Sequence, residues 1–206
     1  VQLGTVSIGF KPRDGDGRLD TYGESASQFN TIQVNSFNLS SDIYHAVKHN
    51  ENLPLMEIKN LVTDLIAAIR HESSVLLSFS PLRVLDEYTF THSTNVSILN
   101  LAQAMALGIK GEELHEIGVA ALLHDTGKLY VPEEVLNKPG KLTDTEWESI
   151  RQHPQKGAEY LLENPGIPPL AVVVAYEHHM QYDNSGYPQV SKDWRQNICS
   201  QMTAIS

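Results

Sequence analysis

A His-Asp doublet at His124 and Asp125 lies among further histidines that are spread over the second half of the chain. These histidines are His92, His153, His178 and His179. Neutral imidazoles and a carboxylate that can bridge two cations are the ligands of two-metal hydrolytic sites, and such sites attack phosphate esters. If these side chains form one site, the fold must bring together residues that are far apart in the sequence.

Helical periodicity predicts how the first of these residues meet. One helix is expected over residues 88–107 and the next over residues 112–124, with a turn at Gly108 to Gly111. The helix rises by about 1.5 Å per residue, so two antiparallel neighbours of these lengths return the chain to its starting level. We therefore expect His92 to lie beside His124.

Two further helices are expected to lead to the remaining histidines. Thr143 and Glu146 form a capping-box pattern, which starts a helix that reaches His153, where Pro154 interrupts or restarts it. Another helix, opened by two prolines at 168 and 169, leads to the histidine pair. Asp125, His153 and His179 all fall at or near helix ends, so we expect the negative pole of each helix to face the site and to favour cations.

The first 80 residues differ from the rest in their predicted secondary structure. Val6 to Phe10 and Ile32 to Val34 are short β-prone segments, and Asp14 to Gly17 is interpreted as a hairpin turn. A calcium loop of the EF-hand type would need an oxygen ligand and a glycine at the two positions that follow this turn, which are Arg18 and Leu19. The apolar stripe from Leu61 to Ile69 predicts a long helix.

These patterns predict a mainly α fold with two parts. Residues 1–80 are expected to form a small α/β region with a regulatory or partner-binding role. Residues 81–206 are expected to form a helical bundle of five or more helices. The helix around residues 61–69 would connect the first part to the bundle.

Composition limits the classes of partner. The formal net charge of -10 argues against a nucleic acid polymer, because non-specific binding to phosphates relies on Lys and Arg. The single cysteine, Cys199, excludes an internal disulfide, fits a reducing compartment and is expected to be a buried small hydrophobe. No apolar run approaches the roughly 18 residues of a spanning helix, so we expect a soluble, cytoplasmic protein.

Not every histidine is assigned to the site. A lone histidine beside an apolar helix is most often a hydrogen-bonded core or boundary residue, and His71 and His115 are interpreted in this way. His45 and His49 have the i, i+4 spacing of a metal pair but no third ligand nearby in the sequence. We interpret them as part of a solvated helix face.

Five segments of the second half carry a family resemblance. They begin at Tyr88, Leu122, Asn137, His153 and His178, and they read YTFTH, LLHDTGK, NKPGKLT, HPQKG and HHMQYDNSGYP. From about Pro81 to its end, the chain resembles the HD-GYP domain, a bacterial branch of the HD phosphohydrolase superfamily. The fold implied is the helical bundle of an HD domain.

The resemblance implies hydrolysis of cyclic di-GMP to linear pGpG, and in some relatives on to GMP, at a non-haem di-iron or di-manganese centre. The implied ligands of the first metal are His92, His124 and Asp125. Those of the second metal are Asp125, His153, His178 and His179. Asp125 would bridge the two ions, and a hydroxide between them would attack the phosphorus in line while the cations stabilise the developing charge.

The same resemblance implies roles for residues beside the metals. Lys128 would face the site, one helical turn beyond His124 if that helix continues, and would bind the scissile phosphate or assist the leaving oxygen. Tyr187, on a loop fixed by Gly186 and Pro188, would contact the nucleotide, and it would also serve as an anchor for its loop.

Some positions depart from the family pattern. Tyr88 stands where relatives with three metals have a glutamate, so we expect a dinuclear centre. Met180 replaces a common glutamate after the histidine pair, and support for a histidine must then come from elsewhere. Asn184 replaces a glycine. The family's last metal-binding aspartate is expected just after Ser206, so the domain is interpreted as truncated at its C-terminal end.

Other functions remain compatible with the sequence. The main alternative is a catalytically weak signalling module that acts by nucleotide binding or by contacts with diguanylate cyclases of the GGDEF type or other signalling proteins. A homodimer is compatible with either function. Another HD phosphohydrolase, such as a nucleotidase, is disfavoured by the intact Gly186 to Pro188 segment. The sequence leaves open iron or manganese, and cyclic di-GMP or cyclic GMP-AMP.

Overall fold

A computed structural model of the chain describes residues 19–71, 88–183 and 185–206, with side chains from Thr31 onward except at 71 and 88–90. Most of these residues are helical. The helices are α1 (Leu19–His49), α2 (Leu55–His71), α3 (Tyr88–Ala106), α4 (Gly111–Leu123), α5 (Glu133–Leu136), α6 (Asp144–Arg151), α7 (His153–Glu163), α8 (Pro169–Glu177) and α9 (Ile198–Ala204), with a 3-10 helix at Thr126–Tyr130. The predicted mainly α bundle is confirmed, and over the described ranges the β-structure consists of one antiparallel bridge between Met180 and Gly186.

The prediction of a β-prone segment at Ile32 to Val34 is wrong, because these residues lie inside α1. Two β-branched residues in alternate positions favour a strand only weakly, and tertiary burial overrides that preference. Ile32, Leu39 and Ile43 are buried on one face of the helix, at the spacing of helical turns. The other predicted segment, Val6 to Phe10, and the turn at Asp14 to Gly17 lie outside the described residues.

Helices α1 and α2 share a hydrophobic core with the bundle. The helix predicted around residues 61–69 is confirmed as α2, and its Ile58, Val62 and Leu65 are fully buried. They belong to the same cluster as Leu101 of α3 and Leu123 of α4. Burial of side chains of this size contributes about 1.5–3 kcal/mol each relative to leaving them exposed. The core therefore fixes α3 and α4, which carry the first site residues.

The predicted antiparallel pair is confirmed as α3 and α4. The turn between them contains Gly108 and Gly111 in left-handed backbone conformations, with φ of 84° and 65°. His92 in the second turn of α3 lies next to His124, the residue that caps the end of α4, with 5.4 Å between ring centroids. The returning helix thus closes the long sequence gap between these two histidines.

The helices that carry the other histidines also begin where the sequence predicts. Thr143 and Glu146 form a capping box at the start of α6, and α8 begins at Pro169. The restart predicted at Pro154 is confirmed: His153 is the first residue of α7, so the positive pole of this second helix also lies near the site. The negative pole expected there belongs to α6, which ends two residues earlier because Pro154 restarts the chain as a new helix.

No helix in the described ranges is both long enough and apolar enough to cross a membrane.

Candidate metal centre

The structure brings together the six side chains that the sequence singled out. They form two groups, and within each group the ligand-type atoms lie within 4.8 Å of one another. The inner group is Asp125, His153, His178 and His179, and the outer group is His92, His124 and Asp125. Atoms bound to one transition-metal ion at about 2.0–2.2 Å are at most about 4.4 Å apart, so each group is close to the size of a metal site.

The two oxygens of Asp125 face different histidines. Oδ2 lies 3.2 Å from Nε2 of His124 and 3.8 Å from Nε2 of His92. Oδ1 lies 3.3 Å from Nε2 of His153 and 3.5 Å from Nε2 of His178. A carboxylate placed in this way can bind one cation through each oxygen, which is the bridging arrangement expected from the sequence.

The ends of three helices orient three of the imidazoles. Nδ1 of His124 donates to the carbonyl of Ala121 at 2.7 Å. The His153 and His178 rings make the same kind of bond, to Ile150 at 2.8 Å and to Ala175 at 2.9 Å. These carbonyls belong to the last turns of α4, α6 and α8, where the helix itself leaves acceptors unsatisfied. The support that Met180 cannot give therefore comes from the backbone.

This bonding leaves the other ring nitrogens as acceptors. Nε2 of His153 and Nε2 of His178 lie 3.1 Å apart, and with both Nδ1 protons committed to carbonyls, two lone pairs face each other. Oδ1 of Asp125 is buried and accepts no hydrogen bond. A shared metal cation would satisfy all three atoms at once. The residues present thus fit a metal site.

Protonated imidazoles are a poor substitute for that cation. Burial lowers the pKa of His178 to about 4, although Asp125 opposes the shift. Burial also lowers the pKa of His179 to about 3, with His178 and His153 acting in the same direction. Burial by itself raises the pKa of Asp125, but attraction to His124 and its neighbours holds it well below the usual value. Near neutral pH, Asp125 is therefore an anion, and the His178 and His179 rings beside it are neutral.

Lys128 faces this site, but it does not lie on the same helix as His124. Helix α4 ends at Leu123, as the predicted end near His124 indicates, and Lys128 lies on the 3-10 helix that follows instead of on a continued α-helix. The shorter turn brings its Nζ to 2.7 Å from Oδ2 of Asp125. The ammonium group therefore lies at the outer group, where a substrate phosphate could meet it.

The predicted Gly186-Tyr187-Pro188 loop packs against the histidine pair. The backbone N–H of Tyr187 donates to the carbonyl of His179 at 3.2 Å. Its ring stacks on the His179 ring, with centroids 4.6 Å apart and planes 18° from parallel. Gly186 has a φ of 83°, and a Cβ there would lie 2.3 Å from the His179 carbonyl oxygen. Asn184, the other departure in this loop, lies outside the described residues.

Glu177 was not singled out from the sequence, although it supports the site. Its carboxylate is only 2% exposed and accepts from the indole N–H of Trp194 and from the backbone N–H of Asn197, both at 2.8 Å. The sequence carried a signal for it: a charged residue at the end of an apolar helix, directly before His178, is seldom buried unless it is paired. Glu177 ties the segment before α9 to the histidine pair.

Glu177→Gln is expected to lower the free energy of unfolding by about 1–3 kcal/mol, because the amide can accept only one of the two hydrogen bonds and leaves a donor unpaired. Urea unfolding of the metal-free protein measures the change. Glu148→Gln, at an exposed position of α6, is the matched control and should unfold at the wild-type midpoint. Equal unfolding midpoints for all three proteins would contradict a stabilising role of the buried hydrogen bonds of Glu177.

The residues left outside the site behave largely as expected. His45 is exposed beside His49, so the solvated face is confirmed. His115 lies 3.0 Å from the Lys59 carbonyl, a structural contact at the helix surface. Cys199 is a buried free thiol, as predicted. The side chains of His71 and Tyr88 lie outside the described part of the chain.

Comparison with known proteins agrees with this geometry. Residues 82–201 match the family model described as HD domain. The chain is 43% identical over 129 residues to "Cyclic di-GMP phosphodiesterase PA4108" of Pseudomonas aeruginosa, which covers 63% of this chain and 31% of that protein. It is 30% identical over 171 residues to "3'3'-cGAMP-specific phosphodiesterase 1" of Vibrio cholerae, covering 82% of this chain and 38% of that protein. The chain thus spans about a third of the length of these relatives.

A solved structure shares the fold. The structure titled "Bd1817, a HDG"Y"P protein from Bdellovibrio bacteriovorus" matches with a TM-score of 0.70 over 86% of this chain and 58% of that one, at 16% identity. The resemblance to HD-GYP proteins that the sequence motifs carry is confirmed. The chain belongs to the HD domain family.

Proposed function

We propose that this chain hydrolyses cyclic di-GMP at a dinuclear metal centre, with linear pGpG or GMP as the final product. The observation that carries the proposal is the convergence of five histidines on Asp125, with a different set of imidazoles at each carboxylate oxygen. Relatives that are named cyclic di-GMP or cGAMP phosphodiesterases support the substrate class. Retention of the whole predicted ligand set favours an enzyme over a catalytically weak signalling module.

The proposed metals fit the two groups of side chains. His92, His124 and Asp125 would hold one ion, and Asp125 would share the other with the three inner histidines, His153, His178 and His179. When bound, two divalent cations supply Lewis acidity at a phosphodiester and activate water for its attack. We propose iron or manganese, since imidazole and carboxylate ligands suit both.

The protein's own residues bind and orient the substrate. The ammonium group of Lys128 would donate to a phosphate oxygen or to the leaving oxygen, and it already lies at the outer face of Asp125. Tyr187 would contact the nucleotide while its stacking on His179 holds that ring in place. The carbonyls at the ends of α4, α6 and α8 keep the imidazoles in one tautomer, so their Nε2 atoms stay directed inward.

Turnover measured by product chromatography tests the proposal. Anaerobically purified, metal-loaded protein should convert cyclic di-GMP to pGpG and GMP, and elemental analysis should identify the metal. Cyclic GMP-AMP is offered in parallel, because relatives with either named specificity occur among the similar proteins. Absence of turnover on both cyclic dinucleotides, with the metal bound, would contradict the proposal.

The two proposed metals should leave at different rates. The side chain of His92 is 39% exposed, whereas that of His153 is 0% exposed, so a chelator reaches the outer group first. We expect a chelator to remove about one ion per chain quickly and a second slowly. Elemental analysis of samples taken at successive times measures the two rates. His92→Ala should abolish the fast phase and keep the slow one. Loss of both ions in a single phase from the wild type would contradict the assignment.

Two further proposals concern interactions between protein chains. We propose that the chain contacts diguanylate cyclases of the GGDEF type or other signalling proteins through residues 1–80, and that it can form a homodimer. Light scattering gives the oligomeric state, and binding to a purified cyclase tests the first interaction.

A further inference from the structure

An aromatic and cationic surface continues outward from the candidate metal centre. Trp147 and Arg151 lie one turn apart on α6, and the Arg151 guanidinium is 5.6 Å from the centre of the Trp147 ring. The same guanidinium is 5.9 Å from the Tyr187 ring. The Trp147 and Tyr187 rings lie 6.4 Å apart, centre to centre. We call Trp147, Arg151 and Tyr187 the rim cluster.

The rim cluster is contiguous with a metal-ligand candidate. Tyr187 stacks on His179, and the Trp147 ring meets Tyr187 edge to face, so the cluster connects the histidine pair to exposed side chains. Trp147 is 41% exposed, and Arg151 is exposed. A large exposed indole beside an exposed cation offers a planar face to a ligand. Because Trp147 is exposed, it does not serve as a buried residue of the hydrophobic core.

The start of α6 is held firmly, which fixes the position of the rim cluster. Thr143 and Glu146 cap the helix reciprocally, and Lys138 pairs with the Glu146 carboxylate at 2.6 Å. At the other end, the Ile150 carbonyl accepts from His153. Helix α6 is therefore tied both to its preceding loop and to the inner metal group, and it places Trp147 and Arg151 at a fixed distance from the site.

We infer that the rim cluster is a subsite for the purine base of the nucleotide whose phosphate lies at the metal centre. This inference rests on the proposed function and names Trp147 and Arg151 as its specificity-determining residues. In a nucleotide, one ribose separates the base from the phosphate. The rim cluster is separated from the metal centre by a similar step, since its Tyr187 stacks directly on the ligand candidate His179. Indole and guanidinium groups both stack on the planar faces of bases.

Ligand binding without turnover tests the subsite. GMP and ribose 5-phosphate, which lacks the base, are titrated into the metal-loaded full chain by calorimetry, which gives the affinities, and tryptophan fluorescence is recorded in parallel. We expect GMP to quench the wild type and to bind about tenfold more tightly than ribose 5-phosphate. Trp147→Ala and Arg151→Ala should each weaken GMP by about tenfold and leave ribose 5-phosphate unchanged. Trp194 remains in Trp147→Ala, and its emission should not respond to GMP.

Tyr44→Ala is the matched control, since Tyr44 is an exposed ring with Lys48 placed 5.6 Å over it, on α1. It should bind GMP as the wild type does. Equal affinity of the wild type for GMP and ribose 5-phosphate, or GMP binding that neither rim substitution changes, would overturn the inference. Failure of the proposed function appears separately, as absence of cyclic dinucleotide turnover by the wild type. Circular dichroism checks that each variant is folded. Arg151→Lys keeps the charge but loses the planar guanidinium, and it should weaken GMP binding less than Arg151→Ala does.

Discussion

Asp125→Asn is expected to abolish hydrolysis and to reduce the metal content to at most about one ion per chain. Asp125 is the one residue common to both groups, and each of its oxygens faces a separate set of imidazoles. Asparagine has almost the same shape but carries no charge, and its amide nitrogen cannot bind a cation. Loss of partners outside the ligand shell already costs about 10–100-fold, so loss of the shared ligand should cost more than about 100-fold.

The fold should survive this substitution. Asp125 is nearly fully buried, and in the metal-free protein its charge is desolvated. Removing the charge therefore removes the cost of burying it together with the interactions it makes. Helical content by circular dichroism should match the wild type, while turnover and elemental analysis change. Asp42→Asn, an exposed carboxylate on α1, removes the same charge and should change neither. Wild-type turnover in Asp125→Asn would rule out a bridging role.

The meeting of His92 and His124 could be predicted because it depends on local rules. Two helices of known rise, joined by a turn at Gly108 to Gly111, must bring their ends together if they are antiparallel. The structure has this arrangement, with the rings 5.4 Å apart. Capping signals such as Thr143 with Glu146 were reliable for the same reason, since the hydrogen bonds they form lie within one turn.

Features that depend on packing between distant segments were missed. Ile32 to Val34 is β-prone in isolation, yet it lies in α1, where Ile32 packs into the hydrophobic core that α2 shares with the bundle and Val34 is exposed. The sequence left open whether α4 continues to Lys128, and the structure has a 3-10 helix after Asp125 that carries it. The approach of α6 to Tyr187, which creates the rim cluster, depends on where the loop after α8 docks. Hydrophobic periodicity holds no information on that position.

The motif glycine Gly127 shows how packing and site are coupled, and Gly127→Ala is expected to disrupt both. A Cβ at this position would lie 1.9 Å from the carbonyl oxygen of His153 and 2.7 Å from the backbone nitrogen of Gly157. These are backbone atoms, so no side-chain rotation relieves the overlap, and the 3-10 helix must move away from α7. We expect the free energy of unfolding to fall by about 3 kcal/mol, at the upper end of the usual cost of overpacking.

The same displacement should separate Asp125 from His153, whose Oδ1 and Nε2 atoms are 3.3 Å apart. Metal content should therefore fall together with stability. Gly118→Ala is the matched control, because its Cβ would meet side-chain atoms of Val62 and Leu101 in the core instead of the backbone of the site. It should lower the unfolding midpoint while keeping the wild-type metal content per folded chain. If Gly127→Ala also retained that metal content, the contact between the 3-10 helix and α7 would not be what holds Asp125 against the inner histidines.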